Sequence, residues 1–144
     1  MRLTVYTDYG LRLLIYVAVK QREIVTIQEV ADAYGISKNH LMKVTHNLGR
    51  HGYLETVRGR HGGLKLARPP EEIGLGDVIR RMEDDFRLVE CFEPTRDCCR
   101  ITRVCRLKGI LNEALKAYLA VFEKYTLADL TGQNPALAKM LLSA

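Results

Sequence analysis

The sequence predicts a mainly α-helical fold with a small β-hairpin: a winged helix-turn-helix domain followed by a long dimerisation helix. Three observations predict it. Two short helical segments meet at a turn marked by Gly35, a glycine-rich basic stretch (VRGRHGG) follows the second of them, and the net positive charge lies wholly in that same half of the chain. With 144 residues, 47% of them hydrophobic, the chain suffices for one compact domain plus an oligomerisation element. The expected division is a DNA-binding unit over 1–83, a cysteine-bearing loop over 84–105, and a dimerisation helix with a C-terminal segment over 106–144.

The first helix is expected from about Asp8 to Lys20 with Thr7 as its N-cap, and Leu11, Leu14, Ile15 and Ala18 recur at helical spacing on one face. A second helix opens with a capping box, Thr26 and Glu29, and stops at Gly35. Ser37 is expected to cap a third helix that buries Leu41, Val44 and Leu48. Its opposite stripe is Asn39, Lys43, His46 and Arg50. Around Leu54–Thr56 and Leu64–Leu66 two short strands are expected, joined by the Arg58–Gly63 turn. After the Arg68-Pro69-Pro70 break, Leu75–Glu83 reads as a helix with Val78, Ile79 and Met82 inward. A long helix from about Arg106 to Lys124 follows, with Leu107, Leu111, Ala114, Leu115, Tyr118 and Phe122 on a broad apolar face. One small domain has little room to bury that face, which points to a two-fold homodimer. Thr126 begins a last short helix.

The net charge is +5, distributed as +6 over residues 1–68 and −1 over 69–144. A basic half points to a polyanionic partner, here double-stranded DNA. In a helix-turn-helix the second helix enters the major groove, so Lys38, Asn39, His40, Lys43 and Arg50 are the expected DNA-facing residues of the third helix. Arg58, Arg60 and His61 sit on the hairpin loop, where a wing would reach a narrow minor groove. No apolar run approaches the ~20 residues of a membrane span, and the N-terminus lacks a secretory pattern, so a cytoplasmic location without membrane contact is expected. An enzyme is not expected: all four histidines lie in the basic half, none placed to activate a cysteine, and neither a phosphate loop nor a CxxC pair is present.

All four cysteines, Cys91, Cys98, Cys99 and Cys105, fall in one charged segment. Clustered cysteines in a reducing compartment are more often metal ligands or redox sensors than disulfides. The close CxxC pairs of a zinc ribbon are absent, while wide spacing on an irregular loop suits a larger iron–sulfur core. Arg87, Arg96, Arg100, Arg103 and Arg106 would offset the negative charge of a thiolate-bound cluster, or pair with Asp84, Asp85 and Glu90. The residues alone leave an iron–sulfur cluster, zinc and a thiol switch open.

TDYGLR, SKNHLMKV, RHGYL, VRGRHGG and ITRVCRLK together resemble the winged-helix iron–sulfur regulators that include the NsrR and IscR groups, over nearly the full chain. The match favours the NsrR type, because the IscR group carries a histidine three residues after its third cysteine, where Lys108 stands here. The resemblance implies a homodimeric DNA-binding transcriptional repressor holding an iron–sulfur cluster, [4Fe–4S] in preference to [2Fe–2S], and losing operator affinity when nitric oxide reaches that cluster. It implies Cys91, Cys99 and Cys105 as ligands, with Asp8 of the partner subunit completing the site. The gap after Cys91 is longer than the family pattern and Cys98 is an additional thiol, so Cys98 is an alternative ligand, in place of Cys99 or of Asp8. The other reading is a cluster-independent thiol redox switch on the same fold, with Cys98 or Cys99 oxidised.

Overall fold

The computed structural model describes every residue except Met1, Arg22, Pro94, Arg96, Asp97, Cys98, Gln133 and Ala144. Among the described residues the chain forms seven α-helices and one two-stranded antiparallel sheet. Helix α1 spans Val5–Val19, one turn earlier than its sequence pattern suggests. Its cap is Thr4, whose hydroxyl accepts the Thr7 backbone N–H, and not Thr7. Thr7 is instead completely buried in the first turn, beside Gly10, Leu13, Leu14 and Val17. The buried face of α1 is thus wider than four residues, because α3, α4, α6 and the hairpin all pack around it.

Helix α2 (Ile27–Tyr34) begins with the capping box of Thr26 and Glu29 and ends at Gly35, whose φ of 62° is the left-handed conformation that glycine adopts without strain. Donation by the Thr26 backbone N–H is the largest influence holding the Glu29 carboxyl below the usual carboxylate range. The turn then closes with the Ile36 N–H bonded to the Ala31 carbonyl, and α3 runs over Lys38–Arg50. Ser37 stands at the N-cap position of α3 but its side chain makes no capping bond. Leu41, Val44 and Leu48 are fully buried and seat α3 against α1.

Strands β1 (Leu54–Val57) and β2 (Gly63–Leu66) pair antiparallel, Leu54 opposite Leu66 and Val57 opposite Gly63. Val25 adds an isolated bridge to Leu64, so the segment before α2 lies along the hairpin. Gly63 is required there: a Cβ would lie 2.6 Å from the Val25 carbonyl oxygen. The hairpin base is held by Tyr53, fully buried, whose hydroxyl donates to Asp77. Burial first, and then this bond to a carboxylate, push the Tyr53 hydroxyl well above the ordinary tyrosine range, so it remains a donor. Arg68 stacks on the Tyr53 ring and donates to the carbonyls of Gly52 and His51.

Helix α4 (Leu75–Met82) connects the two halves. Its end is tied to the start of α1, since Glu83 accepts both the backbone N–H and the hydroxyl of Thr4. Met82 packs so closely on Gly10 that a Cβ there would lie 2.7 Å from its methyl carbon. Arg80 pairs with Glu123 at the end of α5 (Arg106–Phe122). Two 3₁₀ turns, Glu90–Phe92 and Thr102–Val104, punctuate the otherwise irregular cysteine segment. After α6 (Leu127–Thr131), opened by a capping box of Thr126 and Asp129, an additional helix α7 covers Pro135–Leu142. It was not expected from the sequence, although Asn134 caps it and Pro135 occupies its first turn. Among the described residues, no helix is long and apolar enough to cross a membrane.

Thr45 on α3 is 8% exposed, and its hydroxyl is a buried polar atom without a hydrogen-bond partner among the described residues. Thr45→Val keeps the shape and removes the orphaned group, so thermal unfolding should show a stability gain of about 1 kcal/mol. A destabilised variant would show that the hydroxyl is satisfied in solution.

Candidate nucleic-acid interface and metal centre

The α2–turn–α3 unit presents one face of α3 to solvent because its other face is the core. Lys38, Asn39, His40, Met42, Lys43, His46 and Arg50 are all exposed. Arg58, Arg60 and His61 are exposed on the loop between β1 and β2, so the basic helix face and the basic loop belong to one unit. Among the described residues, ion pairs engage Arg12, Lys20, Lys65, Arg80, Arg81 and Arg87. None engages Lys38, Lys43, Arg50, Arg58 or Arg60, so the cations expected at DNA keep their charge for an outside anion.

The start of α1 rests directly on this helix. Tyr6 donates to the backbone carbonyl of Lys43 at 3.0 Å, and the Tyr9 ring lies 6.2 Å from that of His40. Asp8 sits between these two tyrosines in sequence. Its carboxylate is paired with Arg12 one turn on, at 2.8 Å, with both side chains a little over 40% exposed. In the first turn of a helix such a carboxylate also meets the positive end of the helix dipole.

Cys91 lies in the first 3₁₀ turn and is half-buried, Cys99 is exposed, and Cys105 is half-buried at the N-cap position of α5. The Cys98 alternative falls outside the described residues, as does Arg96. Arg87 does not serve the thiols as a free cation. It is bound to Asp85 and Glu93, the first of which raises its pKa by hydrogen bonding and is itself lowered in return. Arg100, Arg103 and Arg106 are exposed. Three soft sulfur donors on one irregular segment fit the chemistry of an iron–sulfur cluster. Among the described residues of one chain, however, no three histidine, cysteine or acidic side chains converge into a metal-binding group, so Asp8 and the thiols are not brought together within a subunit.

Helix α5 departs from the expected single apolar face. Leu111, Leu115, Tyr118 and Phe122 are half-buried and Leu119 is buried against the domain. Leu107, Ile110, Ala114, Ala117 and Val121 form a second, exposed stripe, spaced alternately three and four residues apart. Leu107 is 59% exposed, Ile110 61% and Val121 50%. The stripe continues back into the cysteine segment through Val104 and Ile101, 81% and 58% exposed. Of this stripe the sequence pattern singles out Leu107 and Ala114 but merges them with the covered face, because both faces of α5 are apolar; Ile110, Ala117 and Val121, and Met42 on α3, are not singled out.

Known proteins agree with this architecture. The model of the Rrf2 family, described as an iron-dependent transcriptional regulator, matches residues 3–133. The HTH-type transcriptional regulator NsrR of Bacillus subtilis (strain 168) is 53% identical over 142 residues, covering 98% of this chain and 97% of that protein. Among solved structures, the oxidised form of Staphylococcus aureus CymR superposes with a TM-score of 0.73 at 27% identity, covering 92% of this chain and 97% of that one. IscR of T. potens gives 0.69 at 25% identity, covering 90% and 85%. With a family model spanning most of its length and a full-length relative at this identity, the chain belongs to the Rrf2 family of transcriptional regulators.

Proposed function

We propose that this regulator is a homodimeric DNA-binding repressor whose operator affinity is set by an iron–sulfur cluster responsive to nitric oxide. The observation that carries the reading is the exposed apolar stripe that begins between Cys99 and Cys105 and continues along α5. Apolar side chains at three-four spacing suit a second copy of the same helix, and the small residues Ala114 and Ala117 allow close approach. The surface that joins two subunits is therefore continuous with the segment that holds the thiols.

Cys91, Cys99 and Cys105 would hold the cluster, with Asp8 of the partner subunit as a fourth, harder and more exchangeable donor. Bound there, the cluster supplies the reactivity toward nitric oxide. The residues of the chain do the rest. Asp8 is oriented by Arg12, and its helix lies on α3 through Tyr6 and Tyr9, so a change in what holds Asp8 is felt at the reading helix. Two reading helices must match half-sites about one helical turn apart, which makes operator affinity sensitive to small shifts. The [4Fe–4S] form is preferred on the family resemblance.

Asp8→Ala should leave a brown, dimeric protein whose operator affinity or nitric-oxide response is altered by about 5- to 150-fold, the usual range of coupling between sites. Visible absorption and operator titration, both anaerobic, read it; an unchanged spectrum together with unchanged binding removes Asp8 from the site. The exposure of Cys99 favours one second reading, a cluster-free thiol switch. An iron-free, colourless protein that binds DNA and releases it on oxidation would establish that reading instead. Arg60→Ala should weaken operator binding and lower the slope of log affinity against log salt by about 0.9 in magnitude. Binding that survives this change with its salt dependence intact would take the hairpin loop away from DNA.

A further inference from the structure

Met42 is the one exposed apolar side chain on a helix face that is otherwise polar. On α3 the core positions are taken by Leu41, Val44 and Leu48, all fully buried, while Met42 is 52% exposed. It shares a shallow concavity with Lys43, His46 and Arg50, and Asn39 and His46 lie three residues before it and four after, on the same stripe. Of the apolar groups beside it in that concavity, Met82 is 3% exposed and Tyr6 is half-buried, so Met42 does not extend a broad apolar patch for another protein. Its place in the second turn of α3 is where a recognition helix meets base edges. In the major groove the one apolar group offered at a base edge is the C5-methyl of thymine, and an unbranched thioether adapts readily to such a contact.

We propose that Met42 determines sequence specificity by packing its thioether side chain on the C5-methyl group of one thymine in each operator half-site. The proposal rests on the reading of α3 as the DNA-binding helix. It assigns apolar readout to a position beside the hydrogen-bonding residues Asn39 and Lys43.

The test uses full-length protein and a duplex that the protein itself selects from a randomised pool, with each thymine replaced in turn by deoxyuridine, which lacks only the methyl group. At one thymine per half-site, deoxyuridine should weaken native binding by about fourfold, the value of one apolar carbon withdrawn from water. Met42→Ala should bind the thymine duplex about as weakly as the native protein binds the deoxyuridine duplex, and should no longer distinguish the two. Met42→Leu should restore the distinction. The side chain is exposed, so both variants fold, which circular dichroism checks. Native protein indifferent to every replacement, or Met42→Ala keeping the native preference, overturns the proposal. Lys43→Ala separates the two levels of failure. If it binds as well as native protein, α3 is not the reading helix and both readings fall; if it binds weakly while Met42→Ala keeps the preference, only the proposal for Met42 falls.

Discussion

A chain carrying Leu107→Glu and Ile110→Glu should fold normally, sediment as a monomer, and lose operator affinity by about 10²- to 10⁴-fold, the benefit of linking two binding modules. Folding is preserved because both side chains are exposed in the single subunit, so charge there displaces no internal contact. Association is lost because each glutamate of one subunit would face the apolar stripe of the other, where a carboxylate without a partner is costly. Analytical ultracentrifugation reads the oligomeric state and circular dichroism the fold. A double variant that remains dimeric would move the interface away from this stripe. The contrasting variant, Leu119→Ala, removes a side chain buried within the subunit and should lower stability by about 2 to 5 kcal/mol.

Cys105→Ala should abolish visible absorption after anaerobic purification and lower operator affinity by about 100-fold. The change is mild for the fold itself. Cys105 stands at the N-cap of α5 without making a side-chain capping bond, so alanine removes a sulfur donor and little else. Cys98→Ala and Cys99→Ala made in parallel identify the second thiolate, since only the ligand's loss bleaches the protein. Full absorption in Cys105→Ala would exclude this residue from the cluster.

Much of the DNA-binding half was legible in the sequence. The capping box at Thr26 and Glu29, the helix stop at Gly35 and the two short strands flanking the VRGRHGG turn are local features, governed by residues within a few positions of one another. The start of α1 was misplaced because Thr4 and Thr7 are equally good caps in isolation. The contact of Thr4 with Glu83, nearly eighty residues away, belongs to the arrangement in which Thr4 takes the cap and Thr7 enters the core. Helix α7 was overlooked although its signals, Asn134 and Pro135, are as local as those of α2. For the candidate metal centre the sequence supplied the donors and not their arrangement: Cys91, Cys99 and Cys105 share a segment, yet Arg87, which lies near them in sequence, is taken by Asp85 and Glu93.

By itself, then, the sequence determined the order of helices and hairpin, the placement of cations on α3 and the loop, and the presence of clustered thiols. Each depends on short-range geometry and residue chemistry. The tertiary structure alone decided which of two apolar faces of α5 is covered and which cations remain outside ion pairs. These are matters of burial and pairing between distant segments. No local pattern specifies them, because whether a face is covered depends on which distant elements pack against it.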